Sequence, residues 1–435
     1  MICGILAAVV LFGGPKGEDL IIDGRPVQLR SGEIHPQRIP REYWRRSVKC
    51  AKAMGLNAVG SYFMWNDFER PDGSFDFRTE RRDVAAFLQI CKEEGLYVLF
   101  RPGPYVCGEW DFGGLPPRLL RRPGCLIRTS KNPDYQKEAE RYMTAIAKVA
   151  EPYLAKNGGP IVLIQLENEY GSWPDRDPGH VVWLKNTWKK LGFGPFYMSD
   201  GPSDRCLKGL SYPDREIAVG LDSGRNEGDW NVARKWNPGV PILSGETYPG
   251  WLRHWGEGDW RPNDLRETLA WYMREKKSFN LFMFHGGTSF GFRAGANDGG
   301  SGHYRPDVTS YDYASPLNER GTPTERYFQY REILGGALGG VGRLPAVPDP
   351  IPTMAIAPFV PAFFADLRDN VTPVAKEPEP MWFEHYGQNQ GASTARRFPP
   401  VRRPSLSSNA LPTSRRSSWT AGSSRRSSVG SGSEA

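Results

Sequence analysis

Short apolar runs alternate with longer amphipathic stretches along most of the chain. The apolar runs are rich in Val, Ile and Leu and predict strands at 29–35, 57–64, 97–101, 161–167, 195–199, 217–221, 241–245 and 280–285. The stretches between them carry apolar residues at helical spacing and predict helices at 41–54, 81–94, 134–154, 181–191, 264–277 and 324–334. Apolar strands that alternate with helices are typical of a parallel sheet covered by helices. Eight such strands predict an α/β fold, a (β/α)8 barrel of about 320 residues.

Composition agrees with a large buried core. Of the 435 residues, 39% are hydrophobic and 12% are aromatic, which excludes a wholly disordered or fibrous protein. No stretch reaches the ~20 consecutive apolar residues that a membrane span requires, so we expect no membrane span.

The net charge of +7 belongs to one end of the chain. Residues 394–435 contain eight arginines and a single acidic residue, Glu434, so residues 1–393 are charge-balanced. A strongly basic protein would suggest a nucleic-acid partner, but a neutral body with a basic tail does not favour one. We therefore expect no nucleic-acid partner.

Both ends of the chain differ from the predicted barrel. Residues 1–17 are mainly apolar and small, which is typical of a secretory signal without its basic start; export is expected, and a hydrophobic N-terminal tail on a cytoplasmic protein is the alternative. Residues 18–345 form the predicted catalytic domain, and residues 346–393 form a linker and the opening of a β-rich domain. Residues 394–435 are rich in Arg, Ser and Pro and predict a disordered tail, for which a frameshift near codon 393 is one hypothesis.

The six cysteines do not suggest a metal site. None of them forms a CxxC pair, and no two histidines have the spacing of zinc ligands. We therefore predict neither a metal ion nor an organic cofactor.

Acidic and aromatic residues follow the predicted strands. The fourth strand runs into Glu167, Asn168 and Glu169, and the seventh ends at Glu246. Catalytic residues of (β/α)8 barrels lie at the carboxyl ends of the strands. A pair of carboxyl groups is the minimum requirement for glycoside hydrolysis, in which one protonates the leaving oxygen and the other is a nucleophile or activates water. A single glutamate here would be read as a solvated loop residue or an ion-pair partner, but two at strand ends favour catalysis.

Seven ordered segments resemble the family 35 glycoside hydrolases, the acid-type β-galactosidases of the retaining barrel glycosidases. The segments are SGEIHPQRIPREYW at 31–44, MGLNAVGSYFMWNDFE at 54–69, RPGPYVCGEWDFGGLP at 101–116, QLENEYGS at 165–172, SGETYPGWLRHWGE at 244–257, FNLFMFHGGTSFGF at 279–292 and TSYDYASPLNERG at 309–321. The resemblance covers about residues 20–334, and the order of the segments makes chance an implausible explanation.

The resemblance implies a role for each residue of the pair. Glu169 is implied as the acid/base and Glu246 as the nucleophile, and Asn168 as a ligand of the sugar 2-hydroxyl. Glu167 lies two residues before the acid/base, and we interpret it as a supporting residue that holds the site by hydrogen bonds or sets a pKa.

The remaining substrate contacts are also implied by the resemblance. Glu109 would accept hydrogen bonds from galactose hydroxyls, including the axial 4-hydroxyl that separates galactose from glucose. Tyr62 and Tyr313 would bond hydroxyls or the nucleophile, and Trp251 would form a wall of the pocket.

The sequence thus predicts a retaining exo-β-galactosidase that acts on a terminal β-galactoside. The alternatives are another exo-β-glycosidase, such as a β-glucosaminidase, on the same barrel, or an inactive, truncated carbohydrate-binding barrel. Oligomeric state, linkage preference and pH optimum are left open by the sequence.

Overall fold

The chain begins with a small antiparallel sheet. The computed structural model describes residues 8–121, 124–298, 303–346 and 381. Strands β1 (Val10–Gly13), β2 (Asp19–Ile22) and β3 (Arg25–Pro26) pair in that order. β1 and β2 are paired along their whole length, so the predicted domain boundary after residue 17 falls between two strands of one sheet. Residues 1–7 and the predicted linker and tail at 347–380 and 382–435 lie outside the described residues.

Eight parallel strands close into a barrel, which confirms the predicted (β/α)8 fold. They are β4 (Arg30–Ile34), β5 (Ala58–Tyr62), β6 (Tyr97–Arg101), β7 (Ile161–Gln165), β8 (Phe196–Asp200), β9 (Ile217–Asp222), β10 (Ile242–Thr247) and β11 (Ser278–His285). Each strand pairs with the next along the chain, and β11 pairs with β4 to complete the circle. All eight predicted strands are confirmed with small shifts at their ends. A hairpin of β12 (Ala296–Asp298) and β13 (Tyr304–Pro306) follows the last barrel strand.

Helices connect the strands and cover the outside of the barrel. They are α1 (Trp44–Met54), α2 (Trp65–Phe68), α3 (Val84–Glu94), α4 (Pro133–Ala150), α5 (Pro178–Lys190), α6 (Asp204–Leu207), α7 (Glu227–Trp236), α8 (Arg266–Arg274) and α9 (Glu325–Leu338). All six predicted helices are present. Helix α4 ends at Ala150 rather than at 154 because Pro152 follows and cannot donate a helical hydrogen bond. No helix in the described ranges is long and apolar enough to cross a membrane.

The sequence pattern did not predict helix α7. Its only buried side chains are Trp230 and Ala233, so it lacks an apolar stripe of the usual width. The helix forms because the Asn226 side chain caps it by accepting from the Asp229 backbone N–H at 3.1 Å.

Two apolar layers hold the barrel together. The outer layer packs helices against strands and includes the fully buried rings of Trp44, Trp188 and Tyr272. The inner layer fills the amino end of the barrel with Leu99, Leu163 and other strand residues, and Leu20 and Ile22 of the N-terminal sheet pack against it. The N-terminal sheet therefore covers the amino end of the barrel and leaves the carboxyl ends of the strands for a site.

Candidate active site

Polar side chains from six strands converge at the carboxyl end of the barrel. They belong to Tyr62 and Arg101 at the ends of β5 and β6, Asn168 and Glu169 just after β7, Asp200 and Asp222 at the ends of β8 and β9, and Glu246 within β10. This convergence is expected from the parallel order of the strands, because all eight carboxyl ends meet on one face.

Three donors surround the Glu246 carboxylate. Its Oε1 accepts from the Tyr62 hydroxyl at 2.8 Å and from the Arg101 guanidinium, and its Oε2 accepts from the Tyr248 hydroxyl at 2.9 Å. The residue as a whole is only 4% exposed. A carboxylate whose oxygens are fixed in this way presents a defined lone pair to the pocket, as a nucleophile requires.

Arg101 is held in place by a second layer of buried groups. Its Nε donates to Oε1 of Gln165 at 2.6 Å, and its Nη1 lies 3.0 Å from Oε2 of Glu33. Burial alone would raise the pKa of Glu33, but the Arg101 charge and hydrogen bonds from His35 and Asn280 outweigh it and hold that pKa below its usual range. A Cβ at position 60 would lie 2.2 Å from Glu33 Oε2, so Gly60 makes room for this carboxylate inside the barrel.

His35 is neutral, and its hydrogen-bond partners determine which ring nitrogen carries the hydrogen. Burial is the main cause that lowers its pKa, to about 4. Its Nδ1 lies 2.8 Å from the Arg38 guanidinium, which can only donate, so Nδ1 accepts and Nε2 carries the hydrogen. Nε2 then donates to Oε1 of Glu33 at 3.1 Å. A chain of hydrogen bonds thus runs from Arg38 to the carboxylate that orients Arg101.

Asn168 lies beside the nucleophile. Its Oδ1 is 2.7 Å from the Tyr62 hydroxyl and accepts from Gln165 Nε2 at 3.0 Å. The single proton of the Tyr62 hydroxyl can be donated either to Asn168 or to Glu246, which shares the same hydroxyl. A change of charge on Glu246 is therefore communicated to Asn168 through Tyr62.

Glu169 has the protonation of a general acid near neutral pH. Burial and the charge of Glu246 raise its pKa to about 7, while contacts with Asp222, Arg128 and Arg101 act in the other direction. Its backbone is left-handed, with φ of 44°, and its N–H donates to the Ser199 carbonyl at 3.0 Å. A non-glycine residue in this region costs about 1–3 kcal/mol, which the surrounding structure must supply.

Glu109 lies in the segment after β6, the strand next to β7. Its Oε2 accepts from the Tyr311 hydroxyl, and burial raises its pKa to about 7. Its backbone is also left-handed, with φ of 43°. The Arg38 guanidinium stacks 3.6 Å from the centre of the Tyr311 ring, so the same arginine supports both halves of the site.

Aromatic rings form the wall between these carboxyl groups. Tyr313 is buried and contacts Tyr311, with ring centres 5.0 Å apart. Trp251 packs edge-on against Tyr248 at 5.0 Å and leaves 47% of its surface exposed. The predicted site residues Tyr62, Glu109, Asn168, Glu169, Glu246, Trp251 and Tyr313 thus all contribute to one end of the barrel. The structure carries no sugar, so their contacts with substrate stay predictions.

Glu167 points away from the nucleophile and forms a structural ion pair. Its carboxylate accepts from Arg128 at 2.7 Å and lies 3.1 Å from His180 Nε2. Although burial would raise its pKa, the Arg128 charge and the His180 hydrogen bond lower it to about 2. Arg128 in turn donates to the Asn168 carbonyl at 2.8 Å. Glu167 therefore supports the backbone of the catalytic segment, as the interpretation of the sequence suggested.

Comparison with known proteins identifies the family of the chain. The profile of the family described as Glycosyl hydrolases family 35 matches residues 19–336, a range that includes all eight barrel strands. The chain belongs to this family. Family 35 membership accounts for the resemblance of the seven segments. Each segment lies at or beside the carboxyl end of a barrel strand.

Relatives of this family 35 chain carry the name β-galactosidase. It is 40% identical over 387 residues to a β-galactosidase of Xanthomonas manihotis, covering 87% of this chain and 63% of that protein. It is 38% identical to a β-galactosidase of Mus musculus, covering 72% of this chain and 48% of that protein. The chain thus spans about half to three-fifths of the length of these curated relatives. Among solved structures, a β-D-glucuronidase of Dictyoglomus thermophilum aligns at 10% identity with a TM-score of 0.48, covering 75% of this chain and 53% of that one.

Several residues of this family 35 site were not assigned a role from the sequence. They are Glu33, Arg101, Asp222, Tyr248 and Tyr311. Arg101 and Asp222 end their strands, a position that would have identified them as candidates. The hydroxyls of Tyr248 and Tyr311 carry no such signal, because each becomes functional only through the carboxylate that it meets.

The described part of the family 35 barrel contains no group of three or more His, Cys, Asp or Glu side chains suited to hold a metal ion. The five described cysteines, Cys50, Cys91, Cys107, Cys125 and Cys206, are all free thiols. Burial raises the pKa of the Cys107 thiol to about 12, so it is an uncharged packing residue at the edge of the pocket.

Proposed function

We propose that this protein is a retaining exo-β-galactosidase that removes terminal β-D-galactose from oligosaccharides or glycoconjugates. The observation that carries the proposal is the difference between two neighbouring carboxyl groups. Glu246 is fixed by Arg101 and two tyrosine hydroxyls, whereas burial and the charge of Glu246 raise the pKa of Glu169 to about 7. Two carboxyl groups with divergent environments are the arrangement that glycoside hydrolysis requires, and a fixed carboxylate such as Glu246 suits the nucleophile of the retaining mechanism.

In the first step, Glu246 attacks the anomeric carbon of galactose. The bond from that carbon to the leaving oxygen breaks, and Glu169 transfers its proton to this oxygen. The product is a galactosyl ester of Glu246. Tyr62 lies 2.8 Å from Oε1 of Glu246; its proton can then be donated to Asn168, the residue that is expected to bond the sugar 2-hydroxyl.

In the second step, water attacks the same carbon. Once Glu246 is an ester, its negative charge no longer raises the pKa of Glu169, so Glu169 remains a carboxylate and accepts the proton of the attacking water. The bond to Glu246 breaks and β-galactose is released. The same electrostatic coupling therefore makes Glu169 an acid in one step and a base in the next.

Recognition of galactose rests on Glu109. The Tyr311 hydroxyl fixes this residue, which lies in the segment after β6. An acceptor fixed in this way can distinguish an axial from an equatorial sugar hydroxyl, because the wrong epimer would leave the carboxyl group without a partner. The β-galactosidase names of the relatives support this choice of sugar.

The deciding experiment follows hydrolysis of p-nitrophenyl β-D-galactoside by the full chain and reads the first-formed anomer by proton NMR. We expect β-galactose first, and a loss of at least about 10³-fold in kcat for Glu246→Gln and Glu169→Gln on substrates with poor leaving groups. First release of α-galactose would exclude the covalent intermediate. Equal activity in both variants and the wild type would refute the site, and preference for a β-glucosaminide in a matched panel would favour that alternative.

A further inference from the structure

Arg38 is a buried cation to which the proposed mechanism assigns no role. It ends the short turn Pro36–Arg38 after β4 and is fully buried. Within the described ranges, its guanidinium donates to three neutral acceptors: Nδ1 of His35 at 2.8 Å, Oγ of Ser289 at 3.1 Å and the Gly108 carbonyl. Because a buried arginine is usually paired with a carboxylate, this arrangement calls for an explanation beyond simple ion pairing.

Two aromatic rings lie against the same guanidinium. Its central carbon is 3.6 Å from the centre of the Tyr311 ring and 5.1 Å from that of the Trp110 ring. A cation is attracted to the negative face of an aromatic ring, and the attraction is stronger where water is excluded. Tyr311 is also the residue whose hydroxyl donates to Oε2 of Glu109. Arg38 therefore holds the ring that holds the Glu109 carboxyl group.

The backbone that carries Glu109 is strained. Cys107, Gly108 and Glu109 are consecutive residues with positive φ, of 61°, 60° and 43°. Residues with a Cβ disfavour this region, so such a segment keeps its shape only where its surroundings hold it. The Gly108 carbonyl accepts from Nη2 of Arg38, and the Glu109 carbonyl accepts from the Gly295 N–H at 2.9 Å. Arg38 thus holds the middle residue of the strained segment.

We propose that Arg38 is a specificity-determining positioning residue: by holding the Gly108 carbonyl and the Tyr311 ring, it aims the carboxyl group of Glu109 at the galactose hydroxyls. This inference rests on the proposed function, because it deepens the galactose recognition assigned to Glu109. One contact acts through the backbone of the recognition segment and the other through the carboxyl group. Without Arg38, Glu109 keeps its chemistry but loses its fixed position, so axial and equatorial 4-hydroxyls are bound more alike.

Arg38 also contacts a second network, which defines the rival explanation. Through His35 it is connected to Glu33, whose Oε2 lies 3.0 Å from Arg101, the partner of the nucleophile. If this connection were what mattered, loss of Arg38 would slow the hydrolysis of every sugar alike, because the nucleophile acts at the anomeric carbon and not at the 4-hydroxyl. The two explanations therefore differ in selectivity, not only in rate.

The substitution Arg38→Lys separates them, because it keeps the charge and loses both the planar fork and the stacking. Hydrolysis of p-nitrophenyl β-D-galactoside and p-nitrophenyl β-D-glucoside by the full chain gives kcat and KM for each sugar. We expect KM for the galactoside to rise about tenfold with a smaller change in kcat, and the ratio of kcat/KM between galactoside and glucoside to fall about 10–10²-fold. Tyr311→Phe, which keeps the ring and removes the hydroxyl, should lower the same ratio.

Two further variants serve as references. Arg30→Lys is the matched control, since Arg30 also donates to a backbone carbonyl, that of Gly55 at 2.9 Å, but lies at the start of β4 and so at the amino end of the barrel. We expect it to keep the wild-type kinetics. Glu33→Gln, which weakens the ion pair that holds Arg101, should lower kcat on both sugars with little change in the ratio.

Binding of the free sugars tests the inference without turnover. Isothermal titration of galactose and of glucose into the full chain gives two dissociation constants, and the preference for galactose should fall about tenfold or more in Arg38→Lys. A wild type that prefers galactose but does not hydrolyse galactosides would refute the proposed function alone, and the same comparison of variants would still decide the role of Arg38.

Three results would overturn the inference. An unchanged ratio in a folded Arg38→Lys would mean that Glu109 does not depend on it. An equal fall of kcat on both sugars, with the ratio kept, would assign Arg38 to the nucleophile. Equal binding of the two sugars by the wild type would leave no selectivity to set. If Arg38→Lys does not fold, Ser289→Ala, which frees only Nε of Arg38, and Tyr311→Phe decide the matter: an unchanged ratio in both contradicts the proposal.

Discussion

The guanidinium of Arg101 and the carboxylate of Glu246 form an ion pair that is almost fully enclosed, with 1% and 5% of the two side chains exposed. The two residues are 145 positions apart in the sequence. The pair is completed by Glu33 on the far side of Arg101, so one cation lies between two carboxylates. Burying such charges is favourable only where close ion pairs and hydrogen bonds offset the cost of removing them from water.

Replacing Arg101 with Lys should therefore be severe, although the charge is kept. An ammonium group cannot reproduce the planar fork that contacts Glu33, Gln165 and Glu246 together. We expect kcat on p-nitrophenyl β-D-galactoside to fall about 10²–10³-fold, with a smaller change in KM. Arg41→Lys, at an ion pair with Asp83 in which Arg41 is 46% exposed, is the control and should match the wild type. Comparable kinetics of Arg101→Lys and the wild type would show that the fork is not needed.

Tyr62→Phe should lower kcat without unfolding the barrel. The hydroxyl lies within 2.8 Å of Glu246 and 2.7 Å of Asn168, so its loss removes one donor from the nucleophile and one contact from Asn168. We expect a decrease of about 10²-fold in kcat, the usual effect of losing one such donor. The comparison variant is Tyr304→Phe, at a tyrosine that is 76% exposed, with circular dichroism melts for all three proteins. A decrease that appeared only in KM would assign Tyr62 to binding rather than to the reacting carboxylate.

Glu167→Gln should affect stability more than the acid/base chemistry. The substitution leaves Arg128 buried without its carboxylate, which typically costs about 3–5 kcal/mol of unfolding free energy. Chemical denaturation measures this loss, and the pH profile of the residual activity should keep its alkaline limb. Glu93→Gln, at a surface pair with Arg45 in which both side chains are 44% exposed, should cost less than about 1 kcal/mol. A displaced alkaline limb in Glu167→Gln would instead make this residue a direct determinant of the Glu169 pKa.

The barrel should lose stability as pH rises through neutrality. Burial raises the pKa of Glu109 to about 7 in the folded chain, above the ordinary value of about 4.3 for an unfolded glutamate. Its contribution is therefore complete below about pH 4 and is lost as pH rises to 7 and beyond. Glu109→Gln removes this titration, so its unfolding free energy should fall less between pH 5 and pH 8 than that of the wild type, by about 2–3 kcal/mol. Thermal melts at the two pH values measure the difference. Glu42→Gln, at an exposed position, should keep the pH dependence of stability of the wild type. An equal pH dependence in Glu109→Gln would contradict the raised pKa of Glu109.

The fold could be predicted because the barrel strands are buried on both faces. Even the weakest run, at 217–221, forms the fully buried strand β9, since its neighbours on both sides supply the pairing. Helix α7 was missed for the opposite reason: its start depends on the Asn226 cap rather than on an apolar stripe. The first sheet was missed because β1 has no buried face of its own and pairs only after the chain turns at Gly14.

The site could be predicted in part for a similar reason. Glu169 and Glu246 can be identified from the local sequence, because each lies at the end of an apolar run. This signal does not depend on which residues lie across the barrel. Tyr248 and Asp222 acquire their roles from side chains that other strands present to them, and no local pattern records which strand ends face each other. Strand alternation would place Glu167 and Glu169 on the same side, because they are two residues apart. The left-handed backbone at both residues instead directs their carboxylates to different partners.

The sheet of β1–β3 packs across the amino end of the barrel, which leaves the carboxyl end as the side open to reactants. In the proposed reaction, substrate therefore enters and both products leave at that end, beside the exposed Trp251. The aglycone must depart before water can reach the galactosyl ester, and galactose must depart before the next substrate binds. Free galactose should therefore be a competitive product inhibitor, whereas the released aglycone should act as an alternative acceptor that returns galactose to a new glycosidic bond.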